Sequence, residues 1–159
     1  MRKFNDYTLK KKLTLDEQGI IAAIKAAEEA KSKGEKAIGA ALFWSKGNVV
    51  TDYSTEMTEG DRTCHAVVNV LKKASQLYGR RLDDAVIYTT VEPCLFCMAA
   101  IQTSGVQELV FGAYDLKNGF ISNKLLADHV ELPFVFRGGV MAEECKSLLP
   151  ISEQEHFSE

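Results

Sequence analysis

Apolar positions along the chain follow two distinct periods. From Leu15 to Lys33, Ile20, Ile21, Ile24, Ala27 and Ala30 recur at helical spacing and Gly34 supplies a stop, which predicts a first helix. The apolar runs Ala37 to Trp44 and Val49 to Tyr53 flank Ser45-Lys46-Gly47-Asn48, the pattern of a β-hairpin. A polar loop from Ser54 to Arg62 follows. Thr63 offers an N-cap for a helix to about Leu77, ended by Gly79, and Val67, Val70, Leu71 and Ala74 make its apolar stripe.

Ala85 to Thr90 reads as a buried strand, and Pro93 suits the first position of a helix reaching about Thr103. Gln107 to Phe111 reads as another strand. Beyond a loop through Gly119 the pattern weakens to a helix near Asn123 to Asp128, a strand near Phe134 to Arg137 and a last helix from Met141 to Leu149. Strands alternating with helices predict a three-layer α/β/α architecture around a central mixed sheet of about five strands. No repeat or Pro/Ser-rich linker interrupts the pattern, so residues 1–159 are expected to form one domain, with 1–12 as an N-terminal extension.

Composition narrows the function classes. With 159 residues, 46% of them hydrophobic, the chain can bury a sizeable core. A formal charge of −3 gives no overall basic field for nucleic acid. Met1 to Lys12 is basic but lacks the apolar stretch of a secretory signal, and no later run is long enough to span a bilayer, so a cytoplasmic location is expected. In that compartment thiols stay reduced, and a C-x-x-C pair such as Cys94 and Cys97 points to metal or redox chemistry.

His65 lies at the start of one expected helix, and Cys94 and Cys97 at the start of another. Zinc accepts imidazole nitrogen and thiolate sulfur in tetrahedral geometry, and three protein ligands with one open position is the catalytic arrangement. Helix starts also stabilise thiolate charge and offer backbone N–H groups to an oxyanion. A thioredoxin-like redox pair and a structural histidine are the bland alternatives for the same residues. His129, His156, Cys64 and Cys145 have no matching spacing, and the two cysteines read as ordinary buried thiols.

His65-Ala66-Val67 followed by Pro93-Cys94-Leu95-Phe96-Cys97 resembles the H-x-E and P-C-x-x-C signature of the cytidine and deoxycytidylate deaminase superfamily. Within it the chain is most similar to the bacterial tRNA adenosine deaminase and guanine deaminase branch. The similarity extends over Ala37-Ile38-Gly39-Ala40, Asp61 to Ala66, Thr90 to Cys94, Val110-Phe111-Gly112-Ala113, Asp115 to Gly119, and Gly139 to Leu149. The resemblance implies the cytidine deaminase-like fold, zinc held by His65, Cys94 and Cys97, an oxyanion contact from the Cys94 backbone, and substrate contacts from Ser54 and Ala66. It also implies a homodimer, and a reaction in which metal-activated water attacks the ring carbon bearing an exocyclic amine and ammonia leaves.

Two positions depart from that branch. Its proton-carrying glutamate, two residues after the histidine, is Val67 here, and its substrate-contacting asparagine, eleven residues before the histidine, is Ser54. General acid–base help is worth about 10²–10⁴ in rate, or about 3 to 5 kcal/mol of barrier. The sequence therefore predicts a chain with little or no turnover. It reads either as an enzyme whose glutamate was replaced or as a naturally non-catalytic subunit that binds tRNA or nucleotide. Glu92 reads as a loop-supporting residue, and Glu56 and Glu59 as loop residues that no motif fixes.

For substrate, the negative charge and the acidic ending at Glu153, Glu155 and Glu159 favour a small purine or pyrimidine over tRNA. Lys72, Lys73, Arg80 and Arg81 are the residues from which a basic patch for tRNA would be built. By the same resemblance, His156 and Phe157 are candidates to fold over the base.

Overall fold

A computed structural model describes residues 12–159, so almost all of the expected N-terminal extension lies outside the described residues. Helix α1 (Leu15–Ser32) opens on a capping box in which Thr14 and Glu17 each bond the other's backbone N–H. Strands β1 (Gly39–Trp44) and β2 (Val49–Tyr53) form the expected hairpin. Next come α2 (Glu56–Glu59), α3 (Ala66–Tyr78), β3 (Ala85–Val91), α4 (Leu95–Ser104) and β4 (Glu108–Asp115). The chain ends with α5 (Lys124–Ala127), β5 (Val135–Arg137), α6 (Ala142–Ser147) and the two-residue strand β6 (Phe157–Ser158).

The sheet order is β2-β1-β3-β4-β5. β1 is antiparallel to both β2 and β3, whereas β3, β4 and β5 run parallel. β6 pairs the end of β4 at Tyr114 and Asp115, beyond the Glu108 to Val110 segment that β5 occupies.

Alternate residues of each strand feed two cores. Ala40, Leu42, Ile87, Leu109 and Phe111 pack with α3 and α4 on one face. Ala41, Tyr88 and Val110 pack with Ile20, Ala23 and Ile24 of α1 and Cys145 of α6 on the other. The architecture is the expected three layers around a mixed sheet. Close approach of α1 depends on Gly39, because a Cβ there would lie 2.0 Å from the Ala23 carbonyl oxygen. Among the described residues no helix is long and apolar enough to cross a membrane.

Candidate metal centre

Strand direction brings the ligand candidates together. β2 and β3 are both antiparallel to β1, so their carboxyl ends lie at the same edge of the sheet. The helices that follow them, α3 and α4, start at that edge and pack on the same face. Ligand sites gather at such strand ends in open α/β sheets.

His65 is the N-cap of α3 and Cys94 the N-cap of α4, which corrects the assignment of those starts to Thr63 and Pro93. The Thr63 backbone N–H and hydroxyl both donate to the Asp61 carboxylate, at 2.8 and 2.7 Å, so Thr63 belongs to a turn and the helix begins two residues later. Pro93 sits one residue before that N-cap, outside α4, and Cys94 itself has extended backbone.

The His65 Nδ1 lies 3.3 Å from Cys97 Sγ and 3.6 Å from Cys94 Sγ, and the two sulfurs are 3.7 Å apart. Tetrahedral zinc, with bonds of about 2.3 Å to sulfur and about 2.0 Å to nitrogen, requires about 3.8 Å between sulfurs and about 3.5 Å between sulfur and nitrogen. The donor set fits that ion. Phe96 stands edge-on to the imidazole, with ring centroids 5.7 Å apart.

The thiols are strongly polarised against each other. A hydrogen bond from Cys97, aided by His65, pulls Cys94 down to about 4, while its bond to Cys94 and its burial push Cys97 up. The hydrogen bond to Cys94 raises His65, with smaller contributions from the Cys94 and Glu56 charges. Cys64 and Cys145 stay apart from this group. Cys145 is fully buried and its thiol is pushed up to about 12 by burial, whereas Cys64 is only half-buried.

A cleft of about 450 Å³ opens beside the three ligands. Ser54, Ala66 and Val67 line it alongside the three candidate ligands. Val67 also belongs to the core, with only 3% of its surface exposed. Ser54 is buried, and its hydroxyl donates to Glu56 at 3.2 Å.

Sequence reasoning missed the frame around this cleft. Glu56 lines it, in a helical turn where the sequence predicts plain loop, and pairs with Lys36 at 3.2 Å. Glu35 accepts the Met57 and Thr58 N–H groups at 3.0 and 2.6 Å, and so caps α2 from the loop after α1. Asn69 of α3 donates to Tyr53 O and Thr55 Oγ1, both at 2.9 Å, and secures the same segment. No local motif marks these residues. Glu92 does support its loop, accepting the Asp115 N–H at 2.9 Å and the Ser122 N–H at 2.6 Å.

A second cavity, of about 750 Å³, shares Lys36, Ile38, Asp115 and Asn118 with the first. His156 and Phe157 line this neighbour and not the metal cleft. The pairing of Phe157 with Asp115 and the Leu116 N–H to His156 carbonyl bond hold them there.

Residues 13–113 match the family model of the cytidine and deoxycytidylate deaminase zinc-binding region. The chain belongs to that family. It is 35% identical over 141 residues to a tRNA-specific adenosine deaminase of Bacillus subtilis, covering 86% of this chain and 88% of the relative. A protein of the same name from Haemophilus influenzae is 32% identical over 139 residues, covering 84% and 80%. Among solved structures, one from a study of tRNA:A34 deaminases superposes with a TM-score of 0.77 at 28% identity, covering 83% of this chain and 99% of that one. A guanine deaminase from Nitrosomonas europaea shares the fold, with a TM-score of 0.68 at 18% identity over 87% of this chain and 85% of its own. Membership of the deaminase family accounts for the two helix starts meeting over a His/Cys/Cys group.

Proposed function

We propose that the chain is a zinc-binding nucleobase or nucleoside deaminase whose position 67 contributes no proton transfer and whose turnover is correspondingly slow. The spacing of His65, Cys94 and Cys97 is the observation that carries this reading. When bound, zinc supplies Lewis acidity that activates water as a nucleophile at neutral pH. The protein supplies the setting. The starts of α3 and α4, at Ala66 and Cys94, turn unspent backbone N–H groups toward developing negative charge. Ser54 contributes a hydroxyl to a ring edge, and Val67 gives an aliphatic floor.

A small purine or pyrimidine is the favoured substrate, supported by the charge of −3 and by a cleft of about 450 Å³. A base presented by tRNA is the second reading, supported by the relatives named tRNA-specific adenosine deaminase. A homodimer belongs to the same proposal. Leu95 and Phe96, exposed beside the cleft, support it, and a monomeric mass by light scattering would count against it.

Metal analysis of the purified protein tests the core of the reading. One zinc per chain is expected, with Cys94→Ala losing it; a Cys94→Ala protein that retains stoichiometric zinc refutes the ligand assignment. Calorimetric titration with guanine, adenine, cytosine, their nucleosides and a tRNA anticodon stem then sorts the substrate readings. Binding of ligand without ammonia release, by both wild type and Val67→Glu, identifies a non-catalytic binding subunit.

A further inference from the structure

Three carboxylates line the cleft beside the ligand group: Glu56, Glu92 and Asp115. Two of them are committed to backbone donors. Glu92 is 2% exposed and holds the Asp115 and Ser122 N–H groups, together with the Ser122 hydroxyl. Asp115 takes the N–H groups of Lys117 at 3.1 Å and Asn118 at 2.9 Å. Moving the Glu92 carboxylate would orphan the buried Asp115 N–H, at a cost of about 1–3 kcal/mol, and moving Asp115 would undo the turn it holds at Lys117 and Asn118.

Glu56 is held differently. Its partners are two side chains, the Ser54 hydroxyl at 3.2 Å and the Lys36 ammonium at 3.2 Å, both of which can turn toward a ligand. Its side chain is only 12% exposed, so it faces the cleft and not bulk water. The helical turn that carries it is pinned independently through Glu35, which leaves the Glu56 backbone fixed and its carboxylate exchangeable.

We propose that Glu56 is the catalytic residue that carries protons in this cleft, doing from α2 what Val67 cannot do from α3. The proposal rests on the reading of the cleft as a deaminase site. As a water oxygen bonds to the ring carbon, Glu56 takes one water proton and passes it to the adjacent ring nitrogen, whose double bond to that carbon becomes single. It then takes the remaining proton from the new hydroxyl and passes it to the amine nitrogen. The C–N bond breaks with its electron pair leaving on nitrogen, a carbonyl forms, ammonia departs, and Glu56 ends ionised as it began.

The test measures ammonia release, zinc content and ligand affinity on the full chain, using the base, nucleoside and anticodon-stem panel. The variants are Glu56→Gln, Glu59→Gln at the far end of the same turn, and Glu56→Gln combined with Val67→Glu. We expect Glu56→Gln to lower turnover by about 100-fold or more while zinc content and ligand affinity stay within about threefold. Glu59→Gln should match wild type, and adding Val67→Glu should recover at least about tenfold of the lost rate. Undiminished turnover in Glu56→Gln, a loss confined to affinity, or a wild-type chain that binds zinc and ligand but releases no ammonia would each overturn the proposal. A wild-type chain binding neither zinc nor ligand would overturn the deaminase-site reading as well.

Discussion

Val67 stands where two demands on one residue meet. Its side chain completes the buried stripe of α3 and also lines the cleft, so placing a carboxylate there sets chemistry against packing. Val67→Glu exchanges aliphatic burial for a desolvated acid, which costs about 1–3 kcal/mol, or about 2–12 °C of melting midpoint for a domain of this size. The expected variant turns over faster and melts lower than wild type, read by ammonia release and calorimetry. A variant that gains no activity while melting normally would mean that position 67 is remote from the bound ring. The His65, Cys94 and Cys97 group was legible because metal coordination dictates residue type and spacing together, and the structure brings the three side chains together. Glu56 was not, since a carboxylate acquires its role from where a turn places it, and nothing in Thr55-Glu56-Met57 announces that place.

Elements followed their sequence signals wherever a period had room to repeat. α1, α3 and the hairpin lie close to their expected spans, because each offers several apolar positions on one face. α2 has four residues and a Thr55 N-cap with no side-chain bond, and its capping carboxylate comes from Glu35 across the fold. Such a turn exists only in tertiary context. β4 continues past Phe111 to Asp115, and β6 consists of two residues recruited by that extension. The Glu35 clamp carries a pH signature. The Thr58 hydroxyl, with the Met57 and Thr58 N–H groups, holds the Glu35 carboxyl below its ordinary value of 4.5. Its stabilisation is thus fully present above that pH and is lost as pH falls through the lowered value. Glu35→Gln should melt lower than wild type at pH 7, with the gap closing under acid conditions. A gap of constant size from pH 7 to pH 3 would refute the clamp.

The whole molecule has one sheet dividing two unequal cores. Every candidate zinc ligand belongs to the α3 and α4 side, while α1 and α6 pack on the opposite face without contributing to the group. Stability need not be uniform across such a body, since local opening follows local interactions. Stripping the ion with a chelator should therefore speed amide hydrogen exchange at the beginnings of α3 and α4, and leave the middle of α1 at its holo rate. Equal acceleration on both faces would mean that the halves open as one cooperative unit. If they open separately, the chain behaves as a hinged book with its spine in the strands: one cover loosens when starved of metal while the other stays shut.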